Sequence, residues 1–328
     1  MQLTTKSAFT LLRFSLAFGL LFYLGYTGSI NWSSLLGLAL EWQFTLAAVL
    51  LFIGNNLVLA WRLQILINAH HLRLSFFAAA RLTFIGLFFN AYLPGATGGD
   101  IVKIYYASKG NPGKRTEVVT ILILDRFIGL FCLLTLPLLL APFFMEMGTA
   151  TPVLQGLLWA ALTVACGMIV AVVIGTHSGF RNSRLLHWIY TRMPLGGLLQ
   201  RALDTLYTYR HNKGVILQSM LLSYLLQLLT IGASLAIAQA TAPLGADLRM
   251  IMLIPLGFLA NSLPVTPGGI GVGEAALAHL FMLFGMQGGA EVILGWRLIM
   301  VVTGLLGLVF YLKGEKRFVF SADNDAAQ

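Results

Sequence analysis

Five ionisable residues, Asp100, Asp125, Arg126, Glu274 and Arg297, stand in or beside runs that are otherwise apolar. Placing such a side chain at membrane depth costs about 2.5–3.5 kcal/mol on insertion scales, so it is retained for a partner or a substrate. The guanidinium forks of Arg126 and Arg297 match the oxygens of phosphates and of carboxylates. They could hold a lipid phosphate, or tie their helices to neighbouring segments through Asp100, Asp125 or Glu274. Both roles are compatible, because an ion pair that a substrate breaks is one way to couple binding to movement. Protonation of the same three acids is a possible coupling as well. Arg62 and Arg81 lie nearer one boundary and are read as snorkelling anchors. Arg13 fits either role, and Lys103 and Lys109 could draw anionic headgroups inward.

These residues need a scaffold, and the composition says what solvates it. The chain has 328 residues, 58% hydrophobic and 10% charged, whereas a soluble domain is about one quarter charged. A single integral-membrane domain fits these numbers. A spanning helix needs about 20 apolar residues. Six runs qualify, at about 8–28, 43–67, 117–142, 153–175, 215–239 and 290–312. Basic residues gather on one side of these spans: Lys6, Arg73, Lys109, Lys114 and Arg115, the 176–213 segment, and the tail from Lys313. The opposite loops hold Arg249 alone, so the asymmetry puts both termini in the cytoplasm. Within 176–213, Leu198, Leu199, Ala202, Leu203, Leu206 and Tyr207 lie opposite Gln200, Arg201 and Asp204, as in an interfacial amphipathic helix.

Two further apolar blocks, 76–113 and 250–286, are interrupted by glycine and proline. Each begins and ends on one side of the membrane, so each enters and returns, as a re-entrant hairpin or as two short crossings. The interruptions read "FFNAYLPGATGGD" (88–100) and "LANSLPVTPGGIG" (259–271). Without gaps, a separation of 171 residues carries Asn90 onto Asn261, Gly98 onto Gly269 and Arg126 onto Arg297. Two spans, a broken hairpin and one span recur in each half, about 8–142 and 153–312, and three full crossings invert the second half. The expected fold is therefore an all-α polytopic membrane protein of two inverted-topology repeats, a pattern of alternating-access transporters.

Non-helical backbone at membrane depth survives only where protein or water satisfies it. The helix that restarts after each break presents free N–H groups, a place for an anion. Candidate substrate-binding positions are therefore Arg126, Arg297, Asn90, Asn261, Gly98, Gly99, Gly268 and Gly269, with Asp100, Asp125 and Glu274 as ion-pair or coupling residues. The two asparagines could cap the broken helices or touch a headgroup.

The stretches "NAYLPGATGGD", "LDRFIGL" and "PVTPGGIGVGE" resemble motifs of the flippase domain of lysylphosphatidylglycerol synthases and its standalone relatives. The resemblance runs through nearly the whole chain in the same order. It implies a membrane domain that moves lipids between leaflets, without the soluble aminoacyl-transferase domain that makes the lipid. The Asp-Arg pair, the aspartate of GGD and the glutamate of GE fall on Asp125, Arg126, Asp100 and Glu274.

No nucleotide fingerprint or metal-ligand spacing is present, so no cofactor and no metal are expected. Cys132 and Cys166 lie in apolar runs as small packing residues. The net charge of +9 has its cause in the basic cytoplasmic segments, not in nucleic acid. The function that follows is translocation of a phosphate-bearing, anionic lipid across the inner membrane, with no catalysis. The alternatives are a secondary transporter of a small soluble anion, which needs a closed polar cavity, and a membrane subunit of a separate lipid-synthesising or lipid-modifying enzyme.

Overall fold

The computed structural model describes residues 15–28, 30–70, 72, 74–92, 98–109, 114–144, 151–176, 212–241, 247–263 and 265–313. Ten helices of ten residues or more occur among them, and no strand. They are α1 (Ser15–Tyr26), α2 (Trp42–Asn68), α3 (Phe76–Tyr92), α4 (Gly98–Lys109), α5 (Arg115–Leu140), α6 (Pro152–Thr176), α7 (Lys213–Thr241), α8 (Met250–Asn261), α9 (Val272–Met282) and α10 (Gly289–Leu312). Short helical turns at Trp32–Leu36, Gly37–Leu40, Ala141–Phe144 and Pro267–Gly269 join them.

Five helices, α2, α5, α6, α7 and α10, are long and apolar enough to cross a membrane. The sequence expects a sixth span at 8–28, of which the described part is α1. Arg13, the amphipathic set at 198–207 and both chain ends lie outside the described residues. Large apolar side chains such as Phe22, Phe77, Trp159 and Leu217 are exposed on the helix exteriors. In an integral membrane protein these meet acyl chains, so their exposure carries no penalty.

Each broken block forms two helices that pack on each other, α3 on α4 and α8 on α9. Asn90 meets Gly99 and, one turn earlier, Gly86 meets Lys103; Asn261 meets Gly273 and Gly257 meets Leu277. Numbers fall along one helix as they rise along the next, so each block is a helical hairpin. At about 1.5 Å per residue, α4, α8 and α9 are each about 17–18 Å long, too short to cross about 30 Å of hydrocarbon alone.

The hairpins do not stand only on their own half. Helix α3 packs on α10 and α8 on α5, while α2 and α7 pack against each other at the centre. Asn55 of α2 donates its side-chain amide to the Leu226 carbonyl and the Thr230 hydroxyl of α7, at 2.8 and 2.9 Å. Ala48, Phe52, Phe84, Leu87, Ile237 and Ile299 form one core between the halves, with Trp296 edge-on to Phe52 and to Phe258. Close crossing of α3 and α10 depends on Gly307, where a Cβ would strike the Phe84 carbonyl.

Arg249, just before α8, is held by Asp247 through Nε and Nη2, and its Nη1 donates to the Phe284 carbonyl at 3.2 Å. It thereby links the two ends of the second hairpin. The guanidinium holds the Asp247 carboxyl below the usual carboxylate range.

Cys132 is buried against α7, as a packing residue is, but Cys166 is exposed on α6. An apolar run places a residue at membrane depth without saying which face it takes, and α6 shows much of its surface to lipid.

Candidate functional site

The second hairpin is closed around Arg297. Its chain stops after Asn261, turns through Pro267–Gly269 and restarts at Val272. Gly268 and Gly269 have φ of +64° and +68°, a region that side chains disfavour, and a Cβ on Gly269 would also strike the Asn261 carbonyl. Glu274, in the first turn of α9 and 0% exposed, accepts from the Gly271 N–H at 2.8 Å and so caps that helix. Its other oxygen takes the Arg297 Nε at 2.6 Å. The Nη1 of Arg297 donates to the Gly268 carbonyl at 2.9 Å and Nη2 to the Asn261 Oδ1 at 2.6 Å. All three nitrogens of the fork are bound to the break, and α10 is pinned to it.

The first hairpin is built differently around Arg126. Asn90 reaches across its break, and its Oδ1 accepts from the Gly99 N–H at 2.8 Å, capping α4 from the preceding helix. Asp100 pairs with Nη2 of Arg126 at 2.6 Å. The Arg126 side chain is 60% exposed, and among the described residues its Nε and Nη1 have no partner. Around the pair, the outward residues of these two helices are Ile101, Tyr105 and Leu130. Arg126 is therefore exposed on a face whose nearest outward neighbours along the two helices are apolar.

Asp125 finds its ion-pair partner outside both hairpins. It takes the Arg62 Nε at 2.8 Å, and the same guanidinium donates to the Ser223 hydroxyl at 2.7 Å and the Asp125 carbonyl at 3.3 Å. This corrects the reading of Arg62 as a snorkelling anchor: the residue is 4% exposed. Snorkelling is inferred from distance to a helix end, but α5 and α7 supply a carboxylate and a hydroxyl, and a buried charge takes such partners.

The gap-free match of the two breaks also needs correction. Contacts equate Asn90 with Asn261 at a separation of 171 residues, but Gly99 with Gly273 and Asp100 with Glu274 at 174. The stretch from the asparagine to the matched glycine is three residues longer in the second hairpin. Gly98 thus begins α4, whereas Gly269 lies in the turn before α9. The asparagines differ as well: Asn90 caps, while Asn261 accepts from Arg297.

Close approach at the breaks predicts what a methyl group would do. On Gly99 it would strike the Gly86 carbonyl and the Asn90 amide; on Gly273 it would come within 2.6 Å of the Asn261 Oδ1. Gly99→Ala and Gly273→Ala should each cost about 1–3 kcal/mol, as overpacking does. Gly156→Ala on α6, with nothing within 4 Å, should cost nothing. Thermal unfolding in detergent checks this, and equal melting temperatures for all three variants would contradict it.

Glu291 escaped the sequence reading. In the first turn of α10 and 3% exposed, it accepts from the Asn31 N–H at 2.6 Å and so fastens the segment after α1. An acid in the first turn of a helix that begins after Gly288 was the available signal. Among the described residues no group of three or more acids, histidines or cysteines could hold a metal.

The chain matches a membrane-protein family over most of its length. The family model of the lysylphosphatidylglycerol synthase TM region matches residues 10–307. A UPF0104 membrane protein of Pyrococcus horikoshii is 24% identical over 302 residues, 85% of this chain and 90% of that protein. No solved structure matches the chain.

Proposed function

Because this chain belongs to the family of the lysylphosphatidylglycerol synthase TM region, we propose that it is a lipid translocator of the inner membrane. It moves a phosphate-bearing lipid, or a lipid-linked headgroup, between leaflets and performs no catalysis. The supporting observation is the exposed face at Arg126, where a half-exposed guanidinium paired to one acid is set among Ile101, Tyr105 and Leu130. A soluble anion would need a polar enclosure there. A lipid can put its phosphate on the arginine and leave its acyl chains on the apolar surface.

Two inverted halves give the movement a form. Asn55 and Leu226, which bond across α2 and α7, are 171 residues apart, the same separation that relates Asn90 to Asn261. A residue that touches its own counterpart lies on an axis of approximate two-fold symmetry. The short hairpins are then re-entrant, both termini are cytoplasmic, and the breaks meet lipid from opposite sides. Arg126 is the binding arginine, whereas Arg297 is the fixed one. The lipid is an anionic phospholipid, and a separate lipid-synthesising enzyme is the natural partner to supply it.

Leaflet exchange in liposomes tests this reading. Purified protein should speed the exchange of labelled phosphatidylglycerol over that in protein-free liposomes. Arg126→Ala should slow it about tenfold to a hundredfold, the size of one charged hydrogen bond of about 1.5–3 kcal/mol. No acceleration of any lipid class, with and without a proton gradient, would overturn the proposal.

A further inference from the structure

The two hairpins share a frame but not a charge. Gly86 of α3 and Gly257 of α8 each lie under one side chain of the returning helix. A Cβ on Gly86 would be 2.6 Å from the Lys103 Cε, and one on Gly257 would be 2.8 Å from the Leu277 Cδ1. The same cradle thus holds an aminobutyl chain in one half and an isobutyl group in the other. Lys103 is 9% exposed and, among the described residues, has no hydrogen-bond or ion-pair partner. The charges acting on it are Asp100, Arg126, Asp125 and Arg62, two of each sign. Those four are already matched, Arg126 with Asp100 and Arg62 with Asp125. In its protonated form Lys103 leaves the group with one positive charge in excess. Around the second break, Arg297 and Glu274 balance each other.

We propose that Lys103 is the inner wall, and Arg126 the open rim, of an anion seat in the first hairpin, and that the seat takes a phosphodiester of net charge −1. The proposal rests on the lipid-translocator reading and narrows its substrate. An ammonium on a side chain only 9% exposed and without a partner is costly, and packing alone would be served by leucine, as Leu277 shows. A phosphodiester monoanion brings the sum of charges in the group to zero. A zwitterionic headgroup brings its own ammonium and leaves the excess in place. Arg126 can meet the phosphate with Nε and Nη1 while Nη2 stays on Asp100, because a guanidinium has five N–H donors. Arg297 has no nitrogen to spare, so the seat is on one side of the protein only.

The test is thermal unfolding of the full chain in detergent with three probes: short-chain phosphatidylglycerol, phosphatidylcholine of the same chain length, and inorganic phosphate. Phosphatidylglycerol should raise the Tm of the wild type above its value in phosphatidylcholine, and Lys103→Leu should lose that difference. Without added lipid, Lys103→Leu should melt no lower than wild type, which keeps loss of binding separate from loss of fold. A phosphatidylglycerol preference that survives in Lys103→Leu would overturn the seat, and so would a wild type that prefers phosphatidylcholine or neither lipid. Inorganic phosphate stabilising where phosphatidylglycerol does not would likewise overturn the phosphodiester seat, and would assign these charges to a soluble anion. If Lys103→Leu loses the preference yet exchange of every lipid is absent, the seat stands and translocation falls.

Discussion

Asp125→Ala will lower the unfolding free energy of the protein in detergent by about 3–5 kcal/mol, the cost of stranding one member of a buried ion pair. Arg62 is the member left behind. It is 4% exposed, and its other bonds go to the Ser223 hydroxyl and the Asp125 backbone carbonyl, neither of which neutralises it. Three helices, α2, α5 and α7, meet at this guanidinium, so its solvation is a property of the packed protein. Replacing both partners with leucine should recover most of the loss, since apolar groups of similar volume need no partner. Chemical unfolding of Asp125→Ala, Arg62→Leu and the double variant, combined as a double-mutant cycle, measures the coupling. Additive losses would mean that the two charges do not depend on each other and that the pair is not the cause.

Arg297→Ala should cost a similar amount, about 3–5 kcal/mol, while Arg126→Ala should cost less than about 1 kcal/mol. The difference follows from burial rather than from residue type. Glu274 is 0% exposed and would lose the guanidinium that balances it; the Gly268 carbonyl and Asn261 would lose their donor as well. Asp100 keeps 23% of its side chain exposed, and it faces an arginine that is itself 60% exposed. Arg297→Lys should rescue little, because one ammonium cannot reproduce a planar fork that serves a carboxylate, an amide and a carbonyl. The functional effects should run in the other direction at Arg126, whose variant folds normally but translocates slowly. Melting curves and leaflet exchange on the same preparations check the pair of expectations. Equal instability of the two variants, or normal exchange by a folded Arg126→Ala protein, would remove the distinction between a binding arginine and a structural one.

Much of this could be read before any fold was known, and the reason is physical. Lipid imposes a minimum length on apolar runs, so the five long helices are legible as composition. Glycine and proline stop helices by local stereochemistry, so both breaks are visible in "LPGATGG" and "VTPGGIG". The acids and arginines are conspicuous because membrane segments rarely contain them. What misled was register. A gap-free match equated Gly98 with Gly269, while the contacts place Gly99 opposite Gly273, because the length of a loop has no counterpart in the periodicity of the helices around it.

The sequence by itself determined the solvent, the helices and the residues at which they break, since each depends on side chains within one or two helical turns. Partnership was decided by the tertiary structure alone. Arg62 is buried against Asp125 although its position in α2 resembles that of an anchor, and Arg126 and Arg297 differ although both are arginines within apolar helices. Lys103 is the clearest case: its neighbours in sequence do not say whether it meets water, and the Gly86 cradle puts it inside. A charge in a low-dielectric interior is governed by whatever lies within a few ångströms of it, and in this chain those groups come from helices distant in sequence.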